Sequence, residues 1–153
     1  MRKRRWLVLV SNWADLEMTL EPVLDPAIYV EPKDRDPSLE DKRQAAWVSL
    51  MRRTAHACLV FAIPNGTNIK SRYGRAKVKR EGLHTGFPDN GVLWDGGQAY
   101  PEWKAGRGDP SDAQIETLNW MHRRGIPVAI VRTPLGCMRW LRSIGAPVPE
   151  VRG

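Results

Sequence analysis

The sequence predicts an α/β domain built on a four-stranded mixed sheet with helices on its faces. Three observations carry this. Short apolar runs alternate with segments of helical period, and the helical segments carry their own start and stop residues. Asp95-Gly96-Gly97, between two extended runs, is a hairpin signal. The predicted order is α-β-β-β-α-β-α.

Residues 1–37 read as an N-terminal acidic arm or linker, broken by Pro22, Pro26, Pro32 and Pro37. Within it only Trp6 to Val10 resembles a strand. Residues 38–153 read as the folded domain. Ser38 followed by Asp41 resembles a capping box and opens the first helix, with an apolar face of Leu39, Ala46, Trp47, Leu50 and Met51. Ala57 to Ile63 is a continuous apolar run ended by Pro64-Asn65-Gly66, which predicts a buried strand. The basic stretch from Lys70 to Arg80 follows, then Gly82 and Gly86. Val92-Leu93-Trp94 is expected to fold back against Tyr100 to Lys104. Pro101 lies inside that second strand without a donor, so its ring nitrogen is expected to face an unpaired side or a bulge. Asp109-Pro110-Ser111 starts the next helix, with Pro110 in its first turn. Ile115, Leu118, Met121 and His122 share one face, and Gly125 stops it. Val128 to Val131 is a short buried strand. Thr133-Pro134 begins a last helix that runs through Leu141 and ends at Gly145.

Charge is distributed unevenly over the 153 residues, whose formal net charge is +7. From Ser11 to Asp41 there are nine acids and two bases; from Lys42 onward there are eight acids and eighteen bases. A basic domain suits a polyanionic partner. Cys58 and Cys137 have no metal-ligand spacing and read as buried free thiols in a reducing compartment. Arg2-Lys3-Arg4-Arg5 has the charge of a secretion signal, but the apolar run after it is too short. No stretch is long enough to span a membrane. The expected setting is the cytoplasm of a bacterium or phage-infected host, with no membrane partner.

The chemistry-bearing residues are Pro88-Asp89 and, further on, Glu102-Trp103-Lys104. Strand alternation points Glu102 and Lys104 to one face and Trp103 to the other. The hairpin brings Asp89, at the start of one strand, near Glu102 on its neighbour. An acid, then acid–any–Lys, is the active-site pattern of metal-dependent nucleases with a PD-(D/E)XK core. The competing reading is a solvated hairpin bearing a surface Glu–Lys pair. Carboxylates suit Mg²⁺ or Mn²⁺, hard ions that prefer oxygen. Asp89 and Glu102 are two such ligands, and the backbone carbonyl of Trp103 is a third. Lys104 is expected to position or deprotonate a water, or to hold phosphate charge. Lys70, Arg72, Arg75, Lys77, Lys79 and Arg80 have no acid among them and are expected to contact DNA phosphates; a solvated helix face is the plainer alternative. His56, His84 and His122 are scattered. Most tryptophans fall at apolar positions, so packing is their default.

Taken in order, these features resemble the VRR-NUC (virus-type replication-repair nuclease) branch of the PD-(D/E)XK superfamily, in its stand-alone phage and bacterial form. The resemblance covers roughly Ser38 to Val148. It rests on Glu40 and Gln44, Pro64-Asn65-Gly66, Arg72, Ala76, Lys79, Gly82, Gly86-Phe87-Pro88-Asp89, Glu102-Trp103-Lys104, Ser111 with Gln114, and Gly125-Ile126-Pro127-Val128. It implies a divalent-metal-dependent DNA endonuclease selective for branched or junction DNA, working as a homodimer. It further implies Glu40 as an additional acid and metal ligand, and Gln114 as a polar residue beside the site. Both also have local explanations, in the helix dipole for Glu40 and a capping box with Ser111 for Gln114. Pro101 and Asn90 depart from the pattern, standing where apolar residues are usual. The alternative function is a non-catalytic nucleic-acid-binding module on the same fold.

Overall fold

The computed structural model describes residues 21–64 and 69–152. The chain forms an α/β fold: β1 (Tyr29–Val30), α1 (Glu40–Thr54), β2 (Leu59–Ala62), α2 (Arg72–Arg80), β3 (Asn90–Trp94), β4 (Gly97–Trp103), α3 (Asp112–Arg123), β5 (Val128–Val131) and α4 (Pro134–Ser143). The strands make one open mixed sheet in the order β1-β5-β4-β3-β2. β1 and β4 run parallel to β5, while β2–β3 and β3–β4 are antiparallel. None of the described helices is long and apolar enough to cross a membrane.

Among the described residues the sheet therefore has five strands, not four. The fifth comes from the segment read as an arm. Ile28 is buried with Leu118, Met121, Val128 and Ile130, which draws Tyr29–Val30 alongside β5. Two buried arginines hold the following residues. Arg132 donates to the carbonyls of Glu31, Gly106 and Gly108, and Arg43 donates to Asp34 and to the carbonyls of Asp36, Ser38 and Arg132. The basic stretch adds a further correction to the element order, since it forms a helix of its own, α2. The expected strand at Trp6 to Val10 lies outside the described residues, as do Asn65 and Gly66.

Several local expectations are corrected. Ser38 does not cap α1; Leu39 takes the N-cap position, and no side chain caps the turn. Ser38 is instead held by Asp36 on its N–H and Arg43 on its carbonyl. The buried face of α1 is Arg43, Trp47 and Met51, one residue per turn, while Leu39 and Ala46 are exposed. β2 is not a buried strand but the sheet edge, with Leu59 63% exposed. Cys58 beside it is only partly buried, whereas Cys137 is buried; both are free thiols. Pro110 precedes α3 rather than opening it, because Ser111 is the N-cap.

The hairpin is tighter than expected. Val92 pairs with Ala99 and Trp94 with Gly97 around a two-residue turn at Asp95-Gly96, where Gly96 has φ 82°. Tyr100 to Trp103 pair with β5 instead. Tyr100 and Lys104 donate to Pro127 and Val131 on the β5 side. Alternation then turns the nitrogens of Pro101 and Trp103 toward β3, past the last β3–β4 pair. Pro101 sits where no ladder bond is needed, and the two strands part there.

Helices cover both faces of the sheet. On one, α1 and α4 bury Trp47, Met51, Met138 and Leu141 against Val92, Ala99, Trp103 and Val131. On the other, Leu118 and Met121 of α3 pack on Val128 and Ile130. Trp103 lies in the first layer and Tyr100 in the second, so alternation gives Glu102 and Lys104 to the α3 side.

Candidate active site

The site forms where β3 and β4 part. Pro88-Asp89 brings the Asp89 carboxylate to the start of β3, and its Oδ2 accepts the Trp103 N–H at 2.9 Å. Within a strand a residue's N–H and C=O point to the same side. The Trp103 carbonyl thus faces the Asp89 side. Because Asp89 holds the N–H of Trp103, the residue after Glu102, the two carboxyls come to the same end of the sheet.

Glu102 is 1% exposed and Lys104 8%, which rules out the solvated surface pair. Lys104 Nζ lies 3.0 Å from Glu102 Oε1. Gln114 Nε2 donates to the same oxygen. Glu102 Oε2 is buried and finds no hydrogen-bond partner among the described residues. Such an orphaned carboxylate oxygen is costly unless something cationic or a proton meets it.

Gln114 reconciles its two readings. Its Oε1 accepts the Ser111 N–H, and the Ser111 hydroxyl accepts the Gln114 N–H, completing a capping box. The amide nitrogen is left free to reach Glu102. The cap fixes the rotamer that serves the site.

Glu40 opens α1 and comes in from the opposite helix layer. Its half-buried carboxylate lies within the electrostatic reach of Lys104 and Asp89. It does not join Asp89 and Glu102 in a three-carboxylate cluster; among the described residues no group of three or more His, Cys, Asp or Glu is gathered tightly enough to hold a metal. Asp89, Glu102 and the Trp103 carbonyl are the oxygen donors at the end of β4, and Glu40 lies within the electrostatic reach of Lys104.

The electrostatics of the three acids agree. Burial, and then the charge of Asp89, push Glu102 from an ordinary 4.5 to about 8, against the pull of Lys104. Burial raises Asp89 too, opposed by the Trp103 N–H. Burial raises Glu40, opposed first by Lys104. Burial is the first cause in all three, so each carboxyl is held toward its neutral form.

The six basic residues of the predicted DNA contact are all exposed. Arg72 to Arg80 form α2, capped by Ser71, and no residue of this helix is buried. Lys70 precedes it. Sequence reasoning missed Asn90, Arg43 and Arg132, all buried. Asn90 donates to the Phe61 carbonyl and ties the start of β3 to the edge strand. Arg43 was legible in principle, four residues before Trp47 on the buried face. Comparison with family models, curated proteins and solved structures returns no match.

Proposed function

We propose that this chain is a divalent-metal-dependent DNA endonuclease of the VRR-NUC type on a PD-(D/E)XK core, acting on branched or junction DNA. The observation that carries the reading is buried Glu102 beside Lys104 and the half-buried Asp89, with Glu102 Oε2 unpartnered. Two neighbouring carboxyls at the end of a sheet are reconciled by a shared proton or by a cation. Mg²⁺ or Mn²⁺ fits the donors present, which are oxygens from Asp89, Glu102 and the Trp103 carbonyl. When bound, the ion lowers the pKa of a water and neutralises charge on the phosphate.

The chain's own residues do the rest. Gln114 and Lys104 hold Glu102 by one oxygen and leave the other without a partner among the described residues. The Trp103 N–H holds Asp89 in the same manner. Lys104 is placed to orient or deprotonate the attacking water, or to hold phosphate charge, with Glu40 behind it keeping an acid near the ammonium. The exposed bases from Lys70 to Arg80 supply phosphate contacts that fix the DNA without reading its sequence. Cutting both strands of a symmetric substrate calls for two sites, so the proposed working unit is a homodimer; light scattering that gives a monomer mass with and without branched DNA would reject that part.

A module that only binds nucleic acid has no use for buried carboxylates facing phosphate, and this weighs against the non-catalytic alternative. The test is incubation with linear, nicked, flapped and four-way DNA, with and without Mg²⁺ or Mn²⁺. Cleavage that depends on the ion and disappears in Asp89→Ala is expected. Absence of ion binding by calorimetry, together with no cleavage of any substrate, would leave the binding module.

A further inference from the structure

Trp120 departs from the packing default. Trp47, Trp103 and Trp140 are buried, but Trp120 is 53% exposed. It lines a cavity of about 610 Å³ between α3 and the loop that leads to β3, with His84, Phe87, Thr117 and Met121. Arg124 covers the indole at 3.7 Å from the ring centre and also donates to the Trp120 carbonyl, which fixes the orientation of an exposed ring. Phe87 meets both His84 and Tyr100 edge to face. The Thr117 hydroxyl donates to the Ala113 carbonyl, so the 3.0 Å contact with His84 Nε2 makes that nitrogen the donor. In the neutral ring this leaves Nδ1 as an acceptor.

Two stretches of chain link the cavity lining to the candidate site. Phe87 stands two residues before Asp89, and Ala113, also in the lining, stands one residue before Gln114. Gly86, at φ 86°, lies flat on the Ala113 carbonyl, where any Cβ would come within 2.4 Å. The basic helix α2 ends at Arg80, four residues before His84. Basic helix, aromatic cleft and Asp89 thus follow one another along the chain. An aromatic cleft beside a cationic track is the arrangement that holds unstacked bases.

We infer that this cleft receives one unpaired nucleobase of a DNA substrate, stacked on Trp120 beside His84, while the adjoining phosphates lie along α2 toward Asp89. This rests on the nucleic-acid reading above and specifies its substrate class. A base that is already unpaired enters without the unstacking that a duplex base requires, so the cleft selects bulged, flapped or junction DNA.

The test is metal-free binding of a duplex carrying one bulged 2-aminopurine, beside the same duplex fully paired. The wild type is expected to prefer the bulged DNA and to quench its fluorescence. Trp120→Ala is expected to lose about tenfold in affinity for the bulged DNA, the size of one base–aromatic stack, with the paired duplex unchanged. Trp120→Phe, which keeps a stacking face, is expected to retain most of the preference. Equal affinity of Trp120→Ala and wild type for the bulged DNA, or an equal loss on both DNAs, overturns the proposal. So does the absence of any preference in the wild type. Ion-dependent cleavage without bulge preference sinks the cleft alone, whereas bulge preference without cleavage sinks the nuclease and leaves the cleft.

Discussion

The acid cluster at the end of β4 and the basic helix α2 carry opposite charge and are treated oppositely by the fold. Glu102 and Lys104 are buried, while no residue of α2 is. A buried charge has its energy set by its neighbours, so changing one disturbs ionisation, stability and chemistry together. An exposed charge is screened and nearly independent of the fold, so its effect shows mainly toward a partner. Substitutions in the two regions are therefore expected to separate cleanly.

The largest effect is expected at the acids. Asp89→Ala or Glu102→Ala is expected to lower ion-dependent cleavage by roughly a thousandfold or more, the rate equivalent of several kcal/mol of charge stabilisation. Lys104→Ala is expected to impair cleavage severely while ion binding by calorimetry persists. DNA binding without metal is expected to survive all three, and removing an acid to tighten it. An Asp89→Ala protein that cleaves at the wild-type rate would break the comparison at its buried end.

Stability sharpens the contrast. Trp103 is fully buried, 5.6 Å from Trp47 by ring centres, whereas Tyr73 on α2 is exposed. Trp103→Ala is expected to cost about 3–5 kcal/mol in urea unfolding, and Tyr73→Ala less than about 0.5 kcal/mol.

The pH dependence follows from the acid cluster. Glu102 binds its proton more tightly folded, at about 8, than at its ordinary 4.5. The native state then holds more protons than the unfolded chain between those values, and stability falls as pH rises through that window. Asp89 and Glu40, also raised, act in the same direction. Asp34, Asp36 and Asp109 are held below 3.8 and act oppositely, but their contribution is complete above that pH. Without metal, the melting temperature is expected to drop from pH 5 to pH 8, less so in Glu102→Gln. A melting temperature that rises over that range would contradict the burial of Glu102 as a neutral acid.

The smallest effect belongs to the helix. Replacing Arg75, Lys77 and Lys79 together with Gln is expected to leave unfolding unchanged and to weaken DNA binding on every sequence. The salt slope is expected to flatten by roughly one unit per lost phosphate contact. Unchanged affinity and slope would mean that α2 is only a solvated face.

The sequence by itself determined the elements whose signals are local. The starts at Ser111 and Thr133, the stops at Gly125 and Gly145, the buried run Val128 to Val131 and the alternation at Glu102-Trp103-Lys104 all depend on bonds within a few residues. Those signals were enough to bring Asp89, Glu102 and Lys104 to one place; Gln114 was expected there only from the family resemblance. Tertiary structure decided whatever depends on distant partners. Tyr29–Val30 becomes a strand because β5 offers a free edge and Ile28 a buried contact; an acidic, proline-broken segment has no period to announce that. An apolar run does not reveal whether its strand is central, so β2 lies at the edge. The burial that raises Glu102, and the two arginines that gather carbonyls from four segments, arise only when the layers close. Local sequence fixes backbone hydrogen bonding and capping, which reach a few residues. Desolvation and strand order are set by which surfaces meet, and that is a property of the whole chain.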